Sequence, residues 1–274
     1  MVDFTDLQKP YFIGEIGINH NGNMQIAKKL IDAVNACGWD CAKFQKRNPD
    51  VCVPEHQKNV MRVTPWGEMT YIEYKHKLEF TNIQYDMIND YCNQKPIDWS
   101  ASVWDFDSLE FLMQYDLPFL KIPSAMMTNR ELVLETAKTG VPVIMSTGMS
   151  SLEEVDDAVD NLLSKTNDIV LMHTNSSYPT PKEEINLSLI PFLKERYGCT
   201  IGYSGHEEDL EPTVVERHIT LSHDMWGTDQ KSSLEVLAMD MLRKRASDIN
   251  LIMGTPKKVV TESEISVRKK LRGN

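Results

Sequence analysis

Two histidines lie close together late in the chain, in Gly202-Tyr203-Ser204-Gly205-His206 and Glu216-Arg217-His218. Each follows a short β-like run, Cys199–Tyr203 and Val214–Glu216. Where parallel strands close into a barrel, residues at their C-terminal ends face one mouth, and the chemistry is done there. Two imidazoles at neighbouring strand ends can share one divalent metal ion. Only eleven residues, 207–217, separate the pair. A crossover between parallel strands ordinarily takes a dozen or more.

The other strand ends carry a ring of lysines and hydroxyls. Glu15 and Asn19-His20-Asn21-Gly22 go with the first run, and Lys43 and Gln45 with the second. Ser100 and Ser102 follow, then Lys121 and Ser124, Ser146-Thr147-Gly148, and His173, Asn175 and Ser176. Ser204 and His206 close the seventh run, Arg217 and His218 the eighth. Lysines and hydroxyls converging in a half-buried mouth suit a phosphate and a carboxylate. Taken singly, a strand lysine is ordinarily a rim charge, a serine filler and a histidine a satisfied core residue. Repetition at strand ends is what carries the functional reading.

The elements that would position these residues alternate along the chain. Runs at Tyr11–Ile18, Cys41–Gln45, Asp98–Val103, Phe119–Ile122, Pro142–Ser146, Ile169–His173, Cys199–Tyr203 and Val214–Thr220 are short and apolar, as doubly buried strands are. Helical spacing marks Met24–Gly38, Tyr71–Cys92, Ser108–Tyr115, Arg130–Gly140, Leu152–Ser164 and Leu187–Gly198. Asp107 and Asn129 stand where N-caps belong, Gly140 and Gly198 where C-caps belong. Lys46–Glu68, rich in Pro and charge, shows no period. Eight strands in β-α alternation predict an α/β fold, a (β/α)8 TIM barrel. A doubly wound sheet is the rival, but no GxGxxG follows a strand.

Composition narrows the partners. A 274-residue chain, 41% hydrophobic and with no linker-like tract, suits one large domain spanning 1–274. A net charge of −11 argues against nucleic acid and anionic membrane as partners. No apolar window reaches membrane-spanning length, and the N-terminus lacks a signal core. Five cysteines without a CxxC pair fit reduced thiols in a cytoplasmic protein.

Several stretches together resemble the sialic acid synthase family, that is, N-acetylneuraminate synthase and related nonulosonic acid synthases. They are Phe12-Ile13-Gly14-Glu15-Ile16-Gly17-Ile18-Asn19-His20-Asn21-Gly22, Ala42-Lys43-Phe44-Gln45, Lys121-Ile122-Pro123-Ser124, Ser146-Thr147-Gly148-Met149, Tyr178-Pro179-Thr180-Pro181 and the two histidine motifs. The resemblance runs from Pro10 to Leu271. It implies condensation of phosphoenolpyruvate with the open-chain aldehyde of an N-acetylhexosamine such as N-acetylmannosamine, with release of phosphate. It implies a divalent metal on His206 and His218, Mn²⁺ first, with Co²⁺ and Mg²⁺ as alternatives. Lys121, Ser146 and Ser204 would hold the phosphate, and Lys43, Ser102 and Ser124 the carboxylate end. Asn175 and Ser176 would add substrate contacts. Glu15 would serve the reacting water and sugar, and Asp229 the acceptor. The expected assembly is a homodimer.

Three departures from the family pattern stand out. Some members carry a sugar-contacting acid where this chain has Met126, so N-acetylmannosamine should be a poor acceptor unless Asp229 or Gln230 substitutes. Many members append an antifreeze-like domain, for which no counterpart is expected here. Relatives also carry a further small-residue helix segment near Pro212–Glu216. Fully extended, the eleven residues between the histidines span about 36 Å at roughly 3.3 Å each. The expectation is therefore of about ten residues omitted in that window. A true deletion that broke the barrel would instead point to a catalytically weak phosphate- or sugar-binding scaffold.

Overall fold

The computed structural model describes residues 2–7, 9–177, 180–181, 184–205 and 214–253, the last seven by backbone alone. Among the described residues ten strands form: β1 (Tyr11–Gly17), β2 (Cys41–Lys46), β3 (Met61–Thr64), β4 (Gly67–Thr70), β5 (Asp98–Val103), β6 (Leu120–Ile122), β7 (Val143–Ser146), β8 (Ile169–Thr174), β9 (Thr200–Gly205) and β10 (Val214–His218). Eight of them close into a barrel in the order β1-β10-β9-β8-β7-β6-β5-β2, and every pairing is parallel. This is the (β/α)8 architecture read from the sequence. The short interval between the histidines does not open it.

Period-two alternation divides each strand between two cores. Tyr11, Ile13, Cys41, Phe119, Ile144, Val170, Met172 and Val214 form one apolar cluster, the barrel interior. Phe4 stacks edge-on against Tyr11 and Phe119 within it, at 5.4 and 5.8 Å. Phe12, Ala42, Phe44, Ala101, Leu120 and Val215 face the helices in a second cluster. The interior apolar layers stop below the strand ends. Above them the inward positions switch to charge and hydroxyl, and those positions build the mouth.

The connection between β9 and β10 comprises residues 206–213, outside the described residues. The expectation of an omitted segment within Pro212–Glu216 falls partly there; Val214–Glu216 is regular strand. Outer cover for β10 comes from further along the chain. Val215 and Ile219 share a cluster with Leu234 and Met239, the latter on the helix Val236–Met253, and Trp39 Nε1 donates to Met239 O at 3.1 Å.

Three local expectations are corrected. Lys46–Glu68 is not aperiodic chain: it holds two one-turn helices, Pro49–Cys52 and Glu55–Lys58, and most of the β3–β4 hairpin. Tyr71–Cys92 is two helices, Tyr71–Leu78 and Asn82–Gln94, because Thr70 and Thr81 each close a capping box, with Glu73 and Gln84. The cap of Phe106–Leu112 is Asp105, which accepts from Ser108 N at 2.7 Å, and Asp107 lies in the first turn. Asn129 caps as expected. Gly198 is the left-handed C-cap of Leu189–Tyr197, while Thr139 caps Arg130–Lys138 just ahead of Gly140. All five cysteines are free. Among the described residues no helix is long and apolar enough to cross a membrane.

Candidate active site

Strand register brings the inward polar residues to one level. Glu15 pairs across with Lys43 on one side and His218 on the other. Gln45 pairs with Ser102, and Ser102 with Lys121. Ser204 lies between Thr174 and Glu216. These residues, with Ser124, Ser146, Ser176, Trp104 and Ala125, line a cavity of about 300 Å³ at the C-terminal mouth. Of the sequence-derived set, Glu15, Lys43, Lys121, Ser102, Ser124, Ser146, Ser176, Ser204 and His218 meet there. Asn175 lies beside it, in an adjoining cavity that also includes Ser176. Asp229 stands at the rim, its Oδ2 3.9 Å from His218 Nδ1. His206 lies outside the described residues, as do Tyr178 and Pro179.

The centre of the mouth is a closed charge box. Lys43 Nζ lies 2.5 Å from Glu15 Oε2 and 3.4 Å from Glu216 Oε1, and donates to Ser102 Oγ at 3.0 Å. Lys121 Nζ lies 2.7 Å from Glu216 Oε2. All four charged groups are more than nine-tenths buried. Burial pulls the Lys43 ammonium down, but the carboxylates of Glu15 and Glu216 outweigh it and hold it above its ordinary value. Lys121 goes the other way: burial, aided by Lys43, outweighs Glu216 and lowers it. Burial pushes the Glu216 carboxyl up, yet Lys121 and Lys43 hold it down at about 2. Two cations and two anions leave the box neutral, with four groups ready to exchange partners when an anion enters.

Glu216 is the site residue that the sequence reading missed. It was visible as part of the Glu-Arg-His motif, and period two from His218 would have placed it inward. Gln45, already placed in the strand-end ring, does line the cavity. Its Nε2 donates to Glu15 Oε1 at 2.8 Å, and its own Oε1 accepts from Arg47. Arg47 in turn pairs with Glu79 at 2.7 Å and lies 4.7 Å over the Trp104 ring. A buried chain thus runs from the helix end at Glu79 to the Glu15 carboxylate.

Small residues keep the mouth open. Gly17 has φ +53, and a Cβ there would come 3.1 Å from Glu15 Oε1, 3.2 Å from Gln45 Nε2 and 3.4 Å from His218 Cε1. Gly148 N donates to Ser124 Oγ at 3.0 Å, and a Cβ on it would overlap Ser176 Oγ. Met149 holds φ +59 next to it, at the wall shared by the two cavities.

A divalent ion would be held at His218, near Asp229 and Glu15. Imidazole beside carboxylates is a donor set that suits Mn²⁺, Co²⁺ or Mg²⁺ more than a soft metal. Among the described residues no group of three or more His, Cys, Asp or Glu is arranged to hold a metal. An ion held at His218 beside Asp229 would keep positions open to water and substrate. His20 is not part of it: it stacks on Phe80 at 4.0 Å, Gly22 N donates to its Nδ1, and burial pushes it down to about 3. His173 is likewise structural, its Nε2 2.6 Å from Ile185 O.

Two expectations about the acceptor change. Met126 packs, partly buried, against the apolar clusters beneath the mouth, and Ala125 lines the cavity instead. Gln230 cannot substitute for a missing acid. It is buried, donates to Asn19 O and Trp226 O at 3.3 Å each, and accepts from Thr220.

A parallel barrel whose mouth gathers buried lysines, serines and a carboxylate pair defines an enzyme-like anion site. The chain belongs to the NeuB family, which it matches over residues 30–258. It is 35% identical to the N-acetylneuraminate-9-phosphate synthase of Drosophila melanogaster, over 88% of this chain and 68% of that protein. It is 30% identical to the N,N'-diacetyllegionaminic acid synthase of Campylobacter jejuni, over 94% and 81%. The crystal structure of an N-acetylneuraminic acid (sialic acid) synthetase from Leptospira borgpetersenii, in complex with citrate, superposes with a TM-score of 0.84 at 27% identity, covering 97% of this chain and 94% of that one. These relatives are synthases of sialic-type acids.

Proposed function

We propose that the chain condenses phosphoenolpyruvate with an open-chain aldose, an N-acetylhexosamine or a relative of one, to give a nonulosonic acid and phosphate. The observation that carries this reading is the buried Lys43–Glu15–Glu216–Lys121 box ringed by Ser102, Ser124, Ser146 and Ser204. Two lysines and several hydroxyls are what a small molecule with a phosphate and a carboxylate needs. Lys121, Ser146 and Ser204 take the phosphate, and Lys43, Ser102 and Ser124 the carboxylate.

The enol C3 attacks the aldehyde carbon, and the aldehyde oxygen gains a proton. Water then adds at C2, and the C2–O bond breaks to release phosphate. Glu15, released from Lys43 when the substrate carboxylate takes its place, accepts the proton from that water. Gln45 fixes its orientation. A divalent ion on His206 and His218 supplies Lewis acidity toward the aldehyde when bound. The closed barrel removes the premise of the scaffold reading.

The test is phosphate release from phosphoenolpyruvate with Mn²⁺, across a panel of aldoses and N-acetylhexosamines, using substrate labelled with ¹⁸O at the bridging position. The label should leave in phosphate. Label retained in the sugar acid, or no release with any acceptor, defeats the reading.

A further inference from the structure

Lys43, Gln45 and Arg47 follow one another at the period of a strand, so the three side chains turn to the same face in successive layers. Lys46 turns the other way, over Tyr85 and Phe111 at 5.7 and 5.1 Å. Lys43 and Gln45 line the reaction cavity, whereas Arg47, buried just past the end of β2, lies behind its wall. Its guanidinium meets three partners. Nε lies 2.7 Å from Glu79 Oε1, a terminal nitrogen donates to Gln45 Oε1, and Cζ stands 4.7 Å over the Trp104 ring. Glu79 caps the C-terminus of the helix Tyr71–Leu78, an end that disfavours a carboxylate. Burial pushes its carboxyl up, and Arg47 and Lys46 offset only part. Glu79 therefore balances the charge of Arg47, and what reaches the mouth is hydrogen-bond geometry.

That geometry sets the sense of the Gln45 amide. Tyr85 Oη donates to Gln45 O at 2.9 Å and pins the backbone. The side-chain amide has a donor end and an acceptor end, while a guanidinium only donates. The amide oxygen must therefore face Arg47. The amide nitrogen then faces Glu15 and donates to its Oε1 at 2.8 Å. With the amide reversed, oxygen would face carboxylate and Glu15 would turn away. Lys43 also holds Glu15, at 2.5 Å from Oε2. Once a substrate carboxylate takes that ammonium, the Gln45 amide is, among the described residues, the donor left on Glu15.

We propose that Arg47 is a positioning residue for the condensation: from behind the wall it fixes the Gln45 amide and, through it, keeps the Glu15 carboxylate turned to the reacting water after Lys43 has gone over to the substrate. This rests on the condensation reading above and adds to it a residue outside the cavity. Arg47 also backs Trp104, a ring in the cavity wall, so one buried guanidinium orders two lining groups. A purely structural Arg47 would only tie the segment after β2 to the end of the Tyr71–Leu78 helix. The two roles differ in whether the effect of Arg47 passes through Gln45.

The experiment is a double-mutant cycle on kcat, with phosphoenolpyruvate, Mn²⁺ and the panel of aldoses and N-acetylhexosamines. Arg47→Met/Glu79→Leu removes the ion pair as a unit, since a buried pair replaced by apolar groups is often near neutral for stability. Arg47→Lys is the second variant: it keeps a charge for Glu79 without the fork that also reaches Gln45. Each should lower kcat about ten- to a hundredfold and change the KM for phosphoenolpyruvate less than about threefold. In a Gln45→Met background, neither should lower kcat further by more than about twofold. Equal losses in both backgrounds, or parental kcat in both variants, overturn the proposal. If no acceptor supports turnover, the condensation reading fails, and nuclear magnetic resonance still decides this one. The ¹⁵N side-chain amide signal of Gln45, identified by its loss in Gln45→Met, should show one proton protected from solvent exchange in the parent chain. That protection should drop at least about tenfold in Arg47→Lys. An unchanged signal there overturns the positioning role.

Discussion

Lys121 and Glu216 face each other at 2.7 Å across the barrel mouth, although 95 residues separate them in sequence. Neither is on a strand adjacent to the other's: β6 and β10 lie on different sides of the closed sheet. The contact exists only because the barrel closes, and Glu216 also reaches Lys43 on β2 at 3.4 Å. One carboxylate thus ties three strands together at the level where substrate would enter.

Glu216→Gln should therefore destabilise the protein and impair it. Removing one partner from a buried ion pair leaves the others uncompensated and typically costs about 3–5 kcal/mol. Urea unfolding should show a midpoint lowered by that loss divided by the slope, with the slope itself unchanged. Phosphoenolpyruvate should restore part of the loss, because its anionic groups compensate the same lysines. A variant as stable as the parent at neutral pH would show that Glu216 is not the counterion of the box.

The acid limb of stability carries the same residue's signature. The folded Glu216 carboxyl sits at about 2, below its unfolded value of 4.5. A depressed acid contributes stability that is present above the unfolded value and is lost as pH falls through the folded one. The difference between parent and Glu216→Gln should hold constant above pH 5. Below about pH 4.5 it should shrink by up to about 1.4 kcal/mol per pH unit. Lys121 has the opposite sense: its lowered value is a penalty in the folded state that is relieved as pH rises toward 10.5. A difference that grows on acidification would contradict the assignment.

The fold was legible because the barrel strands are apolar runs separated by helix-period segments, and both signals are local. The lysines and serines were legible because period two puts residues at strand ends on one side. Glu216 was not, because its importance comes from partners far off in sequence: Lys121 lies 95 residues away, and Lys43 lies further still. The hairpin β3–β4 escaped because Arg62 and Val63 are exposed and no face of it alternates cleanly. Motif position puts Met126 where some family members carry a sugar-contacting acid, but the motif does not show that the one-turn 3₁₀ segment Ser124–Met126 turns it toward the apolar clusters.

Gly148→Ala should act on substrate binding more than on folding. Its backbone is not left-handed, so the added methyl is not strained by φ, but it would overlap Ser176 Oγ and come 2.9 Å from Ser124 Oγ. Both hydroxyls line the cavity and must move. Losing one or two such hydrogen bonds typically costs about 1–3 kcal/mol, so the KM for phosphoenolpyruvate should rise roughly ten- to a hundredfold. Thermal unfolding should shift by only a few degrees. A KM unchanged within twofold would place the phosphoenolpyruvate site elsewhere.

His218 provides the last test, because its role can be read without turnover. Its ring stands 3.9 Å from Asp229 and close to Gly17, where any side chain would crowd it. If it holds a divalent ion together with His206, few protein ligands mean modest affinity and easy removal by chelators. Mn²⁺ binding followed by electron paramagnetic resonance should show one site per chain in the parent protein. His218→Ala and His206→Ala should each weaken it beyond detection at micromolar metal. Asp229→Asn should weaken it about ten- to a hundredfold if the carboxylate supports the imidazole from outside the coordination shell. Unaltered Mn²⁺ binding in His218→Ala would remove the ion from this mouth and leave the lysine–carboxylate box to act on the aldehyde alone.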